Sequence, residues 1–206
     1  MGNYLKKIIN KVKSIFNNQR NKRLIEKREK AHKQLIKTKT SDHNRWKNNN
    51  ELHESWNERT AILGDFIRPH CDILEFGAGN MFLKNYLKNY KSYTPSDIIK
   101  RFNDTLVCDL NKPISFDLSI FDVVVFSGVL EYVYNIDSVF NQLSGNNIKQ
   151  VVISYCCSDI INLSRDKNGW LSDYSKSELE AIFRKYDYEI QDYCEWKKQS
   201  IYNLTK

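Results

Sequence analysis

The residues best suited to chemistry are a carboxylate and two glycines in the segment ILEFGAGN, residues 73 to 80. Glu75 ends an apolar run, and Gly77 and Gly79 follow it one residue apart. Glycine lets the backbone turn and approach a ligand closely because it carries no Cβ. A carboxylate at such a turn is a poor neighbour for phosphate and a good one for an ammonium or a sulfonium group. The segment therefore predicts a site for a ligand that carries a positive charge.

A pyrophosphate site is the alternative for a glycine turn of this kind. The dinucleotide-binding fingerprint requires a third glycine at position 82, where this chain has Phe82. The turn is therefore not predicted to hold a dinucleotide.

Strand and helix signals alternate after residue 50, and they must position the glycine turn. Short apolar or β-branched runs bounded by turn residues predict strands at 71–76, 91–96, 104–108, 121–126 and 149–155, and a closing hairpin at 188–196 and 200–206. Helical spacing predicts helices at 51–67, 80–89, 136–144 and 176–185. This order predicts a Rossmann-like, doubly wound α/β fold whose seven-stranded sheet is mostly parallel, with a C-terminal antiparallel hairpin. After the third predicted strand the chain has only the segment NKPISFDLSI, so we expect one covering helix of the sheet to be missing or vestigial.

Charge divides the chain into two parts. Residues 1–47 carry 15 Lys or Arg against three acids, a net charge of +12, whereas the remaining 17 bases and 22 acids leave −5. Helical spacing of apolar residues between lysines predicts a basic amphipathic helix over residues 4–16, with an apolar face of Tyr4, Leu5, Ile8, Ile9, Val12, Ile15 and Phe16. We expect residues 1–47 to form a basic arm and linker, and residues 48–206 to form the domain. The polar stretch KTKTSDHNRWKNNNE, residues 37–51, is predicted to be the linker.

The composition predicts a cytoplasmic protein. No apolar stretch approaches the roughly 20 residues of a spanning helix, and the N-terminus lacks the apolar block of a secretory signal. The five cysteines show no metal-type spacing, and we expect reduced thiols, mostly buried in strands. The arm leaves four partners open: the inner face of a membrane, a groove on a partner protein, a second copy of the chain, or nucleic acid.

Four segments in order resemble the class I S-adenosylmethionine-dependent methyltransferases, over roughly residues 55–206. LEFGAGN resembles the first motif, and YTPSD ends the second strand with Asp97, which lies 18 residues after Gly79. VCDLN follows the third strand, and FDVVVFSGVLEYV resembles the fourth strand and its exit loop. The family often has one more glycine after the first two, where this chain has Met81.

The resemblance implies that S-adenosylmethionine is the cofactor, and it implies a role for each matching position. Glu75 and the glycines surround the amino-acid end, Asp97 binds the ribose hydroxyls, and Asp109 binds the adenine amino group. Arg59 pairs with the cofactor carboxylate, with a solvated arginine as the alternative. The expected cofactor-binding residues are Glu75, Gly77, Ala78, Gly79, Asp97, Cys108, Asp109, Leu110, Ser127, Gly128 and Arg59.

No catalytic base is identified from the sequence. All four histidines precede the glycine turn, and Tyr132 stands where the family often has a histidine. Glu131 or Asp166 is the carboxylate available for that role, with a surface or helix-capping role as the favoured alternative. The expected substrate contacts are Glu131, Tyr132, Arg165, Asp166 and Trp170.

Three functions remain open at this point. The first is methyl transfer to a sugar or another small molecule, since the pattern is similar to methyltransferase-like proteins of bacterial surface-polysaccharide pathways. The second is nucleic-acid methylation with the arm on the phosphates, although SGVL replaces the Asn/Asp-Pro-Pro-aromatic signature of base-amino methylation. The third is a catalytically inactive partner protein that keeps the cofactor fold.

Overall fold

Seven strands form one sheet that is flanked by helices on both faces. The computed structural model describes residues 2–146 and 148–206, with the side chains of Lys6 and of residues 19–146 and 148–206. The strands are β1 (Asp72–Phe76), β2 (Ser92–Asp97), β3 (Leu106–Val107), β4 (Val123–Phe126), β5 (Gln150–Tyr155), β6 (Glu189–Trp196) and β7 (Gln199–Thr205). Their order is β3-β2-β1-β4-β5-β7-β6. The first five are parallel, and β7 pairs antiparallel with β5 and β6. The predicted fold class is confirmed.

The helices are α1 (Gly2–Thr38), α2 (His43–Trp46), α3 (Asn57–Phe66), α4 (Phe82–Tyr86), α5 (Ile136–Ser144), α6 (Arg165–Asn168) and α7 (Lys176–Lys185). The predicted helix over 51–67 begins later, because 3-10 turns at Asn49–Glu51 and Glu54–Trp56 precede α3. Helix α4 is shorter than predicted. The sequence missed α2, which lies in the predicted linker, α6 and the 3-10 turn Leu130–Tyr132.

Local sequence explains the two helices that pack on one face of the sheet. Helix α5 buries Ile136, Val139, Phe140 and Leu143, which are spaced as one helical face. Helix α7 begins with a capping box between Ser175 and Glu178. Helices α3 and α4 cover the opposite face, where Leu63 and Leu83 are fully buried.

The site lies where the strand order reverses, between β1 and β4. All four residues of β4 are fully buried, because helices cover the sheet on both faces. Parallel strands meet at the same edge, so the carboxyl ends of β1, β2, β3 and β4 open into one crevice. Residues 108–122 contain no helix, as the sequence predicted, and Leu118 and Phe121 pack into the core instead.

Helix α1 contacts the rest of the chain through its C-terminal half. His32 is buried with its Nε2 3.1 Å from Asp166 Oδ1, and Arg28 donates to Glu51 Oε1 at 2.7 Å. The predicted apolar face over residues 4–16 falls on side chains outside the described set, so it stays a prediction. Among the described residues, no helix combines the length and apolar character needed to cross a membrane.

The cysteines are free thiols. Cys71, Cys108, Cys156 and Cys157 are buried and Cys194 is half-buried, which confirms the predicted burial. Cys194 lies within β6, whereas the other four cysteines stand just before or after a strand. Burial raises the pKa of the Cys108 thiol to about 11, so this group stays protonated near neutral pH.

Candidate functional site

The glycine turn after β1 is shaped by the protein's own packing. Gly77 has φ of +68° and Gly79 has φ of +50°, a region that side chains disfavour. A Cβ on Gly77 would lie 2.4 Å from Val129 Cγ2. A side chain at position 77 would therefore disturb this packing before it reached a ligand. Met81 enters α4 with φ of +57°, so a left-handed methionine takes the place of the third glycine.

Two pockets meet above this turn. The first encloses about 850 Å³, part of it open to solvent, and the second encloses about 410 Å³. Both are lined by Leu52, Trp56, Gly77 and Ser127, so these residues mark the place where the two pockets join. Each of the eleven expected cofactor-binding residues lines one or both pockets. Glu75, Ala78, Gly79 and Arg59 line the second pocket, and Asp97, Cys108, Asp109, Leu110 and Gly128 line the first.

Asp97 connects the end of β2 to the glycine turn. Its Oδ2 accepts a hydrogen bond from Gly79 N at 3.0 Å, and its Oδ1 accepts one from Ile99 N at 3.0 Å. The Nε of Arg101 lies 3.6 Å from Oδ2. A carboxylate oxygen accepts more than one hydrogen bond, so Asp97 can still receive donors from a ligand.

Asp109 faces the segment that precedes α3. Its Oδ1 accepts hydrogen bonds from Ser41 Oγ at 2.6 Å and from Asn111 N at 3.1 Å. The His43 Nε2 lies 3.8 Å from Oδ2. Asp109 therefore contacts this segment as well as lining the pocket.

Glu75 lies buried at the bottom of the second pocket. Burial raises the pKa of its carboxyl to about 8, and the nearby Asp97 adds to the shift. The Tyr93 hydroxyl donates to Oε2, and the Arg59 guanidinium also opposes the shift. A cation bound in this pocket would favour the ionised form of Glu75.

Arg59 is buried, so the expectation of a solvated arginine is wrong. Its Nε and Nη2 donate to the side chain and backbone of Ser127, and Nη1 donates to Gln199 Oε1 at 3.1 Å. The rings of Trp56 and Trp196 lie 5.7 and 5.9 Å from its guanidinium carbon. Three of the five N–H groups are thus used within the protein, which leaves two for a ligand.

One wall of the first pocket comes from residues 39–56, which we call the strap. The sequence predicted a linker over most of this stretch, yet Ser41, Asp42, Trp46, Leu52 and Trp56 line the pocket. The two tryptophans in an otherwise polar stretch were the signal that a packed role was present.

Polar contacts fasten the strap along its length. Arg101 donates to the Trp46 carbonyl and to Asn49 Oδ1. Arg45 donates to the Asn168 carbonyl at 2.6 Å, and the Tyr134 hydroxyl donates to the Thr40 carbonyl at 3.2 Å. The strap is therefore tied to the loop that follows β2, to α6 and to the loop that follows β4.

Of the expected substrate contacts, only Tyr132 lines the pocket. Its ring meets Trp46 edge to face, with centroids 4.9 Å apart and an interplanar angle of 84°. Burial raises the pKa of the Tyr132 hydroxyl, so the group is a neutral donor at physiological pH.

The other four expected contacts line neither pocket and lie within the neighbouring packing. Glu131 is buried behind the site, where its Oε1 accepts from Cys156 N at 3.0 Å and burial raises its pKa. Arg165 donates to the Cys156 carbonyl at 2.7 Å and stacks on buried Trp170. Asp166 pairs with His32 on the outer surface. Glu131 therefore has a buried structural role instead of the surface or capping role expected from the sequence.

The described charged residues that line the first pocket are all acidic. Among the described residues that line it, the acids are Asp42, Asp97 and Asp109, and there is no lysine, arginine or histidine. Two histidines lie near the site: His53, an exposed strap residue, lines the second pocket, and the His43 Nε2 lies 3.8 Å from Asp109 Oδ2. A positively charged or neutral ligand suits the first pocket better than an anion.

Comparison with known proteins identifies the fold. The sequence matches no protein-family model and no curated protein. The structure is similar to Burkholderia thailandensis 1,6-didemethyltoxoflavin-N1-methyltransferase with bound 1,6-didemethyltoxoflavin and S-adenosylhomocysteine, at 15% identity, 74% coverage of this chain, 78% of that chain and a TM-score of 0.53.

Two further solved structures show the same likeness. One is the N-methyltransferase NodS of Bradyrhizobium japonicum WM9 with S-adenosyl-L-homocysteine, at 13% identity, 72% and 86% coverage of this and that chain, and a TM-score of 0.55. The other is a chain from a complex that contains the Haloferax volcanii Trm112 methyltransferase activator, at 12% identity, 73% and 89% coverage and a TM-score of 0.56. The chain therefore has the fold of class I S-adenosylmethionine-dependent methyltransferases.

Proposed function

We propose that this chain, which has the class I methyltransferase fold, transfers a methyl group from S-adenosylmethionine to a small-molecule acceptor. The observation that carries the proposal is the joining of the two pockets at the carboxyl ends of the strands. All eleven positions that the family resemblance assigns to the cofactor line those pockets.

The residues present fit the cofactor's charges. Its amino-acid end carries an ammonium and a carboxylate, and the second pocket offers Glu75 and Arg59 for these groups. Asp97 accepts hydrogen bonds from ribose hydroxyls in the first pocket, beside the apolar surface of Cys108 and Leu110 for the adenine. When bound there, the cofactor supplies an electrophilic methyl group.

The protein's own contribution is positioning and shelter from water. Leu52 and Trp56 of the strap cover the junction of the two pockets, and Ser127 and Gly77 form its floor. Holding an acceptor in line there lowers the barrier without a strong acid or base.

The two alternatives from the sequence receive less support. A nucleic-acid substrate brings phosphates, and the first pocket offers carboxylates without a lysine or arginine among its described lining residues. An inactive partner protein would not need a pocket beyond the cofactor positions, yet the strap builds one from Trp46 and Asp42.

For the basic arm we propose contact with an anionic membrane surface, with a protein partner as the alternative. Residues 1–20 hold five basic residues and no acid. A basic helix of this kind binds anionic lipid by charge and by burying its apolar face. A sugar acceptor and a polysaccharide pathway stay predictions of the sequence resemblance.

The test is calorimetry of the full-length protein with S-adenosylmethionine and with S-adenosylhomocysteine. We expect saturable binding of both at a single site. Incubation with S-adenosylmethionine and a cell extract should then yield a small molecule that has gained one methyl group in mass. If neither compound binds, the proposed function is wrong. If both bind but no small molecule gains a methyl group, the result favours the inactive partner protein.

A further inference from the structure

Part of the first pocket lies beyond the eleven positions assigned to the cofactor. The two pockets join at Leu52, Trp56, Gly77 and Ser127, so the transferable methyl group of a cofactor spanning both would lie near this junction. Besides Phe76, Ile98, Asn111, Val129 and Val133, the part of the first pocket that remains is lined by six residues: Ser41, Asp42, Trp46, Tyr132, Gly169 and Leu171. We call these six residues the acceptor subsite.

The walls of the acceptor subsite are aromatic and held in place. Trp46 and Tyr132 stand nearly at right angles, and the Arg45 guanidinium lies 4.8 Å from the first ring and 5.2 Å from the second. Arg45 is anchored in turn by Glu51 and by the Asn168 carbonyl. Rigid perpendicular rings suit a flat ligand, which stacks on one face and meets the edge of the other.

Asp42 supplies the only carboxylate of the acceptor subsite. Its Oδ1 accepts a hydrogen bond from Arg45 N at 3.0 Å and so caps α2. Its other oxygen makes no hydrogen bond or ion pair with the described residues and is open to a ligand. Asp42 therefore brings a negative charge to the pocket lining that it shares with Trp46 and Tyr132.

The acceptor atom follows from the groups near it. An alcohol needs a base to become a nucleophile, and the described lining of the first pocket holds no histidine. The nitrogen of an aromatic amine has a free lone pair at neutral pH and needs no base before it attacks. Its charge rises during the reaction, and a nearby carboxylate stabilises that positive charge.

We propose that the acceptor is a flat aromatic amine, packed against the corner that the rings of Trp46 and Tyr132 form and hydrogen-bonded to Asp42. The inference rests on the proposed function for its methyl donor. The nitrogen lone pair forms a bond to the methyl carbon while the carbon–sulfur bond breaks and its electron pair returns to sulfur. The proton displaced from nitrogen leaves to water at the open mouth of the pocket.

A sugar suits the acceptor subsite less well. Most ring carbons of a sugar carry a hydroxyl that loses water on binding and needs a partner. The side chains of the acceptor subsite offer four polar groups, on Ser41, Asp42, Trp46 and Tyr132, and Ser41 already donates to Asp109. The lining thus favours a ring with few polar groups.

The test uses probes that share one ring and differ in charge. Saturation-transfer NMR would compare 5-aminoquinoline, 5-hydroxyquinoline, quinoline-5-carboxylate and glucosamine, with the full-length protein in the presence and absence of excess S-adenosylhomocysteine. We expect 5-aminoquinoline to bind at least tenfold more tightly than the carboxylate and than glucosamine.

Variants locate the binding. Trp46→Ala should weaken 5-aminoquinoline roughly tenfold, about the size of one stacking contact. Asp42→Asn should reduce the preference for amine over carboxylate by about tenfold, and it keeps α2 capped because Asn is also a good N-cap. Asp187→Asn, at an exposed turn away from both pockets, is the matched control and should change nothing.

The outcomes separate the two proposals. If calorimetry shows S-adenosylhomocysteine binding but the carboxylate or glucosamine binds as tightly as the amine, the acceptor inference is wrong and the proposed function stands. The acceptor inference is also wrong if Trp46→Ala leaves the affinity for 5-aminoquinoline unchanged. If S-adenosylhomocysteine does not bind but the amine follows the expected pattern, the proposed function is wrong and the aromatic subsite stands.

Discussion

Glu75 and Asp97 lie near the carboxyl ends of the neighbouring strands β1 and β2, yet their surroundings differ. Glu75 is buried with one hydroxyl donor, from Tyr93, and burial raises its pKa. Asp97 receives two backbone N–H groups and lies near Arg101. The first carboxyl is thus available to respond to a cation, whereas the second holds the glycine turn in place.

Glu75 should make the stability of the free protein depend on pH. Its pKa of about 8 in the folded chain exceeds the ordinary value of 4.5, so the folded state holds this proton longer than the unfolded state. Between about pH 4.5 and pH 8 the free energy of unfolding should therefore fall as pH rises, by up to roughly 1.4 kcal/mol per pH unit from this group. Urea unfolding across this range measures the slope.

Glu75→Gln is the matched variant, because glutamine keeps the shape and an oxygen for the Tyr93 hydroxyl. It should flatten the slope in the same pH range and leave the variant more stable than the original protein near pH 8. Equal slopes in the two proteins would show that Glu75 is already ionised in the fold.

Asp97→Asn should weaken S-adenosylmethionine binding roughly ten- to a hundredfold, because a hydrogen bond to a charged acceptor contributes about 1.5–3 kcal/mol. Asparagine keeps one oxygen acceptor, so the fold should survive better than with alanine. Calorimetry gives the affinity, with Asp187→Asn as the control and circular dichroism to check folding. Unchanged affinity would remove Asp97 from the cofactor site.

The strap is held by polar contacts as well as by the packing of Trp46 and Trp56. It contains only one short helix, α2, and two 3-10 turns. Arg101 makes two of its contacts, to the Trp46 carbonyl and to Asn49, while its Nε lies near Asp97. The same arginine thus connects the strap to the carboxylate proposed to bind ribose.

Arg101→Ala should loosen the strap. Both strap contacts of Arg101 are lost, so we expect backbone amides of residues 42–52 to exchange with deuterium at least tenfold faster, while β1 and β4 stay protected. Hydrogen exchange followed by mass spectrometry measures this. Lys112→Ala is the control, since that exposed side chain comes only within 4.0 Å of Asp109. Equal strap exchange in both variants would mean that apolar packing holds the strap.

The whole molecule separates its charges, with +12 on residues 1–47 and −5 on the remainder. The acidic lining of the first pocket and the basic arm therefore favour different partners. The contacts of Arg28 with Glu51 and of His32 with Asp166 join the C-terminal half of α1 to the rest of the chain.

Removal of residues 1–20 should leave S-adenosylmethionine affinity unchanged and abolish binding to anionic vesicles. The five basic residues removed supply the attraction, at about 1 kcal/mol each near the surface. Co-sedimentation with phosphatidylserine-containing vesicles at rising salt measures it, and phosphatidylcholine vesicles are the control. Should the full-length protein ignore vesicles but retard duplex RNA at physiological salt, the arm would be a nucleic-acid contact.

The meeting of the residues assigned to the cofactor at two joined pockets could be predicted because the signals for their positions are local. Gly77 and Gly79 follow one predicted strand, and Asp97 ends the next. Because the two strands are parallel, their carboxyl ends meet at the same edge of the sheet. The substrate side could not be predicted in this way. Glu131 and Trp170 stand beside pocket residues in sequence but point into the packing behind it, and the direction of a loop side chain depends on what packs against it.

The sequence by itself determined the seven strands, their order of appearance, the missing helix after β3 and the positions at the glycine turn, because hydrophobic period and turn residues act over a few neighbours. The tertiary structure alone placed the strap over the first pocket, buried Arg59 and brought Asp42 and Trp46 to Tyr132. Those contacts join residues far apart in the chain, such as Ser41 with Asp109 and Arg45 with Asn168. Their geometry follows from how the strap packs on the sheet, which no local pattern encodes.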